Sequence, residues 1–169
     1  MSADPLHLLN TLIQVDFPPE ELTIQVTQIL SSAARADWAG LYVGNSEAHT
    51  FQTIHQHPEL PTALLAYLDQ RTRSRSRTPL TRTAFEHTRA TFVDNYKTHP
   101  DAQHGAVCLG VTAVAHVPLG HHADQAFIAT VLRVSTSPTL AHSSPWTEDE
   151  RTLIDTASHT VQVALARRK

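Results

Sequence analysis

Cys108 is the sole cysteine of the 169-residue chain, and it lies within reach of histidine on paper. His104 precedes it by four residues, so on a helix the imidazole and the thiol share one face. With His99 and either Asp94 or Asp101, they would offer a mixed nitrogen, sulfur and oxygen ligand set of the kind that holds a metal or haem. One thiol supplies no intrachain disulfide, and zinc sites built on two or four cysteines are excluded. Histidine is over-represented, at 12 residues against 13 Lys plus Arg. His55 and His57 sit two apart at a strand end before Pro58, and His121 and His122 lie in a turn. His7, His49, His87, His142 and His159 fall on helices or loops with no partner in view.

No catalytic constellation accompanies these groups. The chain has no Gly-rich phosphate loop, no nucleophile elbow and no His-Glu-x-x-His helix. Glu148, Asp149 and Glu150 are explained by helix capping. Net charge is −3 at neutral pH. Residues 71–89 carry six arginines (Arg71, Arg73, Arg75, Arg77, Arg82 and Arg89) against Glu86 alone, a local +5, which leaves −8 on the remainder. An acidic body with one basic segment does not suit a dedicated nucleic-acid binder. The alternation of Arg71, Arg73, Arg75 and Arg77 marks an exposed loop, with a phosphate or acidic-partner contact as its functional alternative. No apolar run approaches the ~20 residues of a membrane span, and the first residues lack a signal peptide's basic start and apolar core. A cytoplasmic protein is expected.

The elements that must position these side chains follow from hydrophobic period. Residues 5–15 read as a short helix with Pro5 in its first turn. A second helix runs from Pro19 to about Ala36, with Leu22, Val26, Ile29, Leu30 and Ala33 on one face. Residues 39–43 and 50–55 read as a strand hairpin. Helices are expected at 61–70 and 79–88, with a polar loop at 71–78 between them, then a strand at 91–96 and a mixed loop at 98–110. Strands follow at 112–119 and 126–135. In the first, alternation puts Thr112, Val114, His116 and Pro118 on one face and Ala113, Ala115, Val117 and Leu119 on the other. The second set is the helix-packed one, so His116 points to the opposite side. The same alternation places Phe92, Asp94 and Tyr96 on a shared face. Thr147 to Glu150 spells a capping box, followed by a helix carrying Leu153, Ile154, Ala157, Val161 and Leu165. Length and continuity give one domain over 1–169: an N-terminal helix and linker at 1–18, then the core and last helix at 19–169.

The order and spacing of four segments resemble the GAF domain family. They are Asp37-Trp-Ala-Gly-Leu-Tyr-Val43; Thr91-Phe-Val-Asp-Asn-Tyr96 followed by His99-Pro-Asp-Ala102; Leu109 to Leu119; and Trp146-Thr-Glu-Asp-Glu150 with its helix. The resemblance implies an α+β fold with a mostly antiparallel sheet of about six strands. Terminal helices pack on one face, and loops and short helices cover a pocket on the other. It also implies a sensor or regulatory module without catalysis of its own, dimeric through its first and last helices and coupled to a kinase, cyclase or other regulator. Phe92, Asp94, Tyr96, His99, Asp101, His104, Cys108 and His116 are then the expected ligand contacts.

The ligand and any cofactor stay open. Cyclic-nucleotide-binding members carry an Asn-Lys pair, whereas this chain has Asn95-Tyr-Lys97. Bilin-binding members carry a cysteine where Asp101 stands. The alternative is a redox, metal or haem protein using Cys108 and nearby histidines, similar to the free methionine sulfoxide reductases. Those enzymes need a second cysteine to resolve the oxidised first, and this chain has none.

Overall fold

A computed structural model describes residues 4–45, 48–74, 79–135 and 146–168. Helices α1 (Pro5–Ile13) and α2 (Pro19–Ala33) precede the hairpin β1 (Trp38–Gly44) and β2 (His49–Gln56). Helices α3 (Thr62–Ser74) and α4 (Pro79–Glu86) follow, then β3 (Thr91–Val93), a 3-10 turn at Tyr96–Thr98 and α5 (His104–Cys108). The long hairpin β4 (Val111–His122) and β5 (Gln125–Val134) leads to α6 (Glu148–Ala166). The strands form one antiparallel sheet in the order β2-β1-β5-β4-β3. It has five strands among the described residues rather than about six.

Local chemistry sets the helix boundaries. Pro5 and Pro19 occupy first-turn positions, where a missing N–H costs nothing, and the Asp4 side chain accepts from the Leu6 amide. The capping box of α6 is complete. The Thr147 hydroxyl accepts from the Glu150 amide, and the Glu150 carboxylate accepts from the Thr147 amide.

The two faces of the sheet bury different side chains. Ala39, Leu41, Ala113, Ala115, Val117, Leu119, Ala129 and Val131 face α1, α2 and α6. Small residues on β4 let α6 lie close. At Gly120, where β4 is irregular and φ is +116°, an added Cβ would come within 3.1 Å of the Gln162 backbone and 3.2 Å of Leu165. The opposite face carries Trp38, Tyr42, Val111, Val114, Ile128 and Leu132 beneath α3, α4 and α5. The alternation expected for β4 is the one observed.

Two local expectations are corrected. Residues 71–74 continue α3 instead of forming a loop, so Arg71 and Arg73 stand at helical and not extended spacing. Arg75 and Arg77 lie outside the described residues. The third strand stops at Val93, so Phe92, Asp94 and Tyr96 do not share a face.

Candidate functional site

The face of the sheet under α3, α4 and α5 holds a small, partly open cavity of about 20 Å³, roughly the space of one water molecule. Val111, Val114 and His116 of β4 and Thr130 and Leu132 of β5 make its floor. Leu68 of α3, Leu80 of α4, Ala106 of α5 and Tyr96 close it. Among the described residues the lining is apolar except for His116, Thr130 and Tyr96. His116 and Thr130 are cross-strand partners, both about 5% exposed or less, and His116 Nδ1 lies 3.0 Å from Thr130 Oγ1. A buried polar pair costs free energy unless it is hydrogen-bonded, and this contact reduces that cost. The pair sets polar atoms in a mostly apolar lining, the pattern of small-molecule sites.

The cover is tied together by its own polar contacts. Tyr67 of α3 donates its hydroxyl hydrogen to the Gln103 side chain. The Gln103 amide in turn donates to Tyr96 Oη at 2.8 Å. Gly105 allows α5 to approach, since a Cβ there would meet the Tyr67 ring at 2.8 Å. These contacts join α3, the turn at Tyr96 and α5 into one cover.

Beside the cavity, Trp38, Phe51, Tyr42, His49 and Phe85 form a chain of ring contacts at 4.2 to 5.8 Å. Gly40 makes room for it, because a Cβ there would fall 2.5 Å from Trp38 and 2.6 Å from Phe51. Trp38 is buried, its indole N–H finding no partner among the described residues, beside the cavity residue Leu132 on the next strand. His49 is buried in this cluster, although its position in the sequence suggested no partner. Phe51, two positions along the same strand, was the available signal.

Of the expected contacts, the structure brings His116 and Tyr96 to the cavity. Phe92 packs on the other side of the sheet, with the Arg151 guanidinium 5.0 Å over its ring. The Asp94 carboxylate accepts from the Trp146 amide at 3.0 Å and pairs with Arg151. His99 Nδ1 accepts from the Asp101 amide at 3.1 Å, a local turn contact at the rim. His104 and Cys108 do meet, with Sγ 3.3 Å from Nε2, but on the exposed side of α5. Among the described residues no three His, Cys, Asp or Glu side chains are grouped to hold a metal ion.

On the helix-packed side, sequence reading missed a buried charge. Arg133 is wholly buried, pairs with Glu150, donates to the Ala34 carbonyl at 2.7 Å and lies 4.2 Å from the Trp146 ring centre. Burial alone would push the Glu150 carboxyl up. The Thr147 amide, the Arg133 charge, the Thr147 hydroxyl and the Arg133 hydrogen bond together outweigh it and hold the carboxyl below its usual range. An outer groove of about 630 Å³ between α1 and α6 is far larger than the cavity. It is a solvent-open trough with exposed Val15 and Val163 on its walls, so its size reflects helix shape rather than a closed site.

The family model for the GAF domain matches residues 18–165. No curated protein matches the chain. Among solved structures, the chain is similar to the N-acylhomoserine lactone-dependent LuxR family transcription factor CepR2 from Burkholderia cenocepacia. The TM-score is 0.60 and identity 14%, over 96% of this chain and 92% of that one. A GAF domain/HD domain protein from Geobacter sulfurreducens gives 0.57 and 12%, over 94% and 95%. The photoproduct state of a GAF3 domain from Synechocystis sp. PCC6803 gives 0.57 and 14%, over 87% and 92%. At these identities the likeness is one of fold.

Proposed function

The chain belongs to the GAF domain family, a family of sensory signalling modules, and from that premise we propose that it binds a small amphiphilic molecule between the sheet and its cover. The observation that carries this reading is the buried His116–Thr130 pair in an apolar cavity closed by short helices. A ligand with an apolar body and one polar head matches that wall. It needs more than 20 Å³, so binding lifts the linked cover, and the protein reports occupancy as a change of shape.

The reading is of a sensor rather than a catalyst, in keeping with the family. Dimerisation through the terminal helices is part of the reading. Leu8, Val15 and Val163, exposed by 43%, 46% and 37%, lie on or just after α1 and on α6. Sedimentation at rising concentration tests it. The HD-domain protein among the similar structures supports a downstream effector such as a kinase, cyclase or other regulator. No described helix is long and apolar enough to cross a membrane, which is compatible with the proposed cytoplasmic setting.

CepR2 is described as dependent on N-acylhomoserine lactone, a chemistry of apolar chain and polar head, so N-octanoylhomoserine lactone is the first probe. At a hundredfold excess over Kd, a bound probe stabilises by about 2.7 kcal/mol, a rise of several degrees in Tm. That rise is expected for the wild type and lost in His116→Ala. No rise with the wild type, or the same rise in His116→Ala, contradicts this ligand class at this site.

A second reading places thiol or metal chemistry at His104 and Cys108, supported by their 3.3 Å contact. Metal analysis and absorbance of purified protein, followed by Cys108→Ser, decide between the two.

A further inference from the structure

Two separate contacts join the cavity wall to the start of α6. Val114 turns its side chain into the cavity while its carbonyl accepts from Trp146 Nε1 at 3.2 Å. Tyr96 closes the cavity, and two residues earlier the Asp94 carboxylate holds the Trp146 amide and Arg151. Two residues of chain span at most about 7 Å, so a cover movement that shifts Tyr96 is felt at Asp94. Arg151 closes the loop, with Nε donating to the Trp146 carbonyl at 3.4 Å.

We infer that Asp94 and Trp146 form a latch through which occupancy of the cavity sets the order of the first turn of α6. This inference rests on the cavity reading above. The first N–H groups of a helix have no partner within the helix. Thr147 and Glu150 satisfy two of the amides here by their own capping box. The Trp146 amide, one residue further out, depends on Asp94 from the end of β3. Asp94 and Arg151 have side chains 40% and 33% exposed, and ion pairs in contact with water contribute little to stability. Such a pair can be released at low cost, as a switch requires. Trp146 itself is buried against Arg133, so a shift of its ring reaches the Arg133–Glu150 pair and the cap.

The latch can be tested without a ligand. Ala106→Leu adds three carbons to a cavity of about 20 Å³ and must push the cover outward. Amide hydrogen exchange is measured in the wild type, Ala106→Leu, Asp94→Ala and the double variant. Ala106→Leu is expected to speed exchange at the Trp146, Thr147 and Glu150 amides about tenfold by local opening, with Val161 in mid-helix unchanged. Asp94→Ala, which removes the acceptor of the Trp146 amide, does the same alone, and Ala106→Leu adds nothing further in its presence. The inference is overturned if Ala106→Leu leaves those amides unchanged, or if the two effects multiply independently. If Ala106→Leu does not fold, Ala106→Val carries the same comparison. Should N-octanoylhomoserine lactone fail to bind while Ala106→Leu still loosens α6, the ligand reading fails and the latch stands. If the lactone binds, linkage requires Asp94→Ala to change its affinity.

Discussion

The two faces of the sheet solve opposite problems. Under α1, α2 and α6 the floor is small and branched aliphatic residues, and the buried charge there, Arg133, is held by Glu150, a backbone carbonyl and an aromatic ring. Under α3, α4 and α5 the floor is aromatic and mixed, with a polar pair beside a cavity and a cover made partly of helices of eight and five residues. Short helices owe their order to tertiary contacts rather than to their own propensity. One face is thus built to stay, and the other to yield. On the proposed reading, this difference assigns sensing to the cover side and transmission to the α6 side, with Trp146 between them.

The contrast can be broken most severely on the rigid face. Arg133→Leu takes the buried guanidinium away from the Glu150 carboxylate. Removing one member of a buried pair costs about 3–5 kcal/mol, read as a lower midpoint in urea unfolding. Ile154→Ala, at a residue with no exposure on α6, is expected to cost about 3 kcal/mol. Leu80→Ala, at a half-buried site on α4, should cost only about 1 kcal/mol. Equal losses at the two sites would erase the distinction between the faces. Thr130→Val removes the hydroxyl from His116 and should cost about 1 kcal/mol of stability while abolishing the probe's thermal shift.

The smallest effect is the response to acid. Glu150 titrates lower in the folded protein than its ordinary value of 4.5. Its contribution is therefore complete above that value and lost as the pH falls through the lowered one. Urea midpoints measured from pH 6 to pH 3 should fall less steeply for Glu150→Gln than for the wild type.

Most of the architecture was legible because periodicity reports burial directly. Alternation in β4 separated the two faces and put His116 opposite the helix-packed one, toward the pocket side or solvent. The Thr147 to Glu150 spacing identified the start of α6. The end of β3 was not legible. Phe92, Asp94 and Tyr96 continue a period of two, but Asp94 is recruited by Trp146 and Arg151, more than fifty residues away in sequence. Arg133 is hidden for the same reason. An arginine in an apolar strand gives no sign of the carboxylate that will neutralise it. The arginine run at 71–77 read as an extended loop because alternation with Ser and Thr outweighs a weak helical signal, yet α3 continues to Ser74. Local pattern names the faces, and distant partners decide which polar residues belong to the site.

The most direct test of the account is amide hydrogen exchange of the wild-type protein with and without saturating N-octanoylhomoserine lactone. Bound lactone is expected to slow exchange in α4, α5 and residues 111–116 of β4, to alter it at Trp146 to Arg151, and to leave α2 unchanged. Unchanged exchange throughout, or protection confined to the outer groove between α1 and α6, would contradict the account.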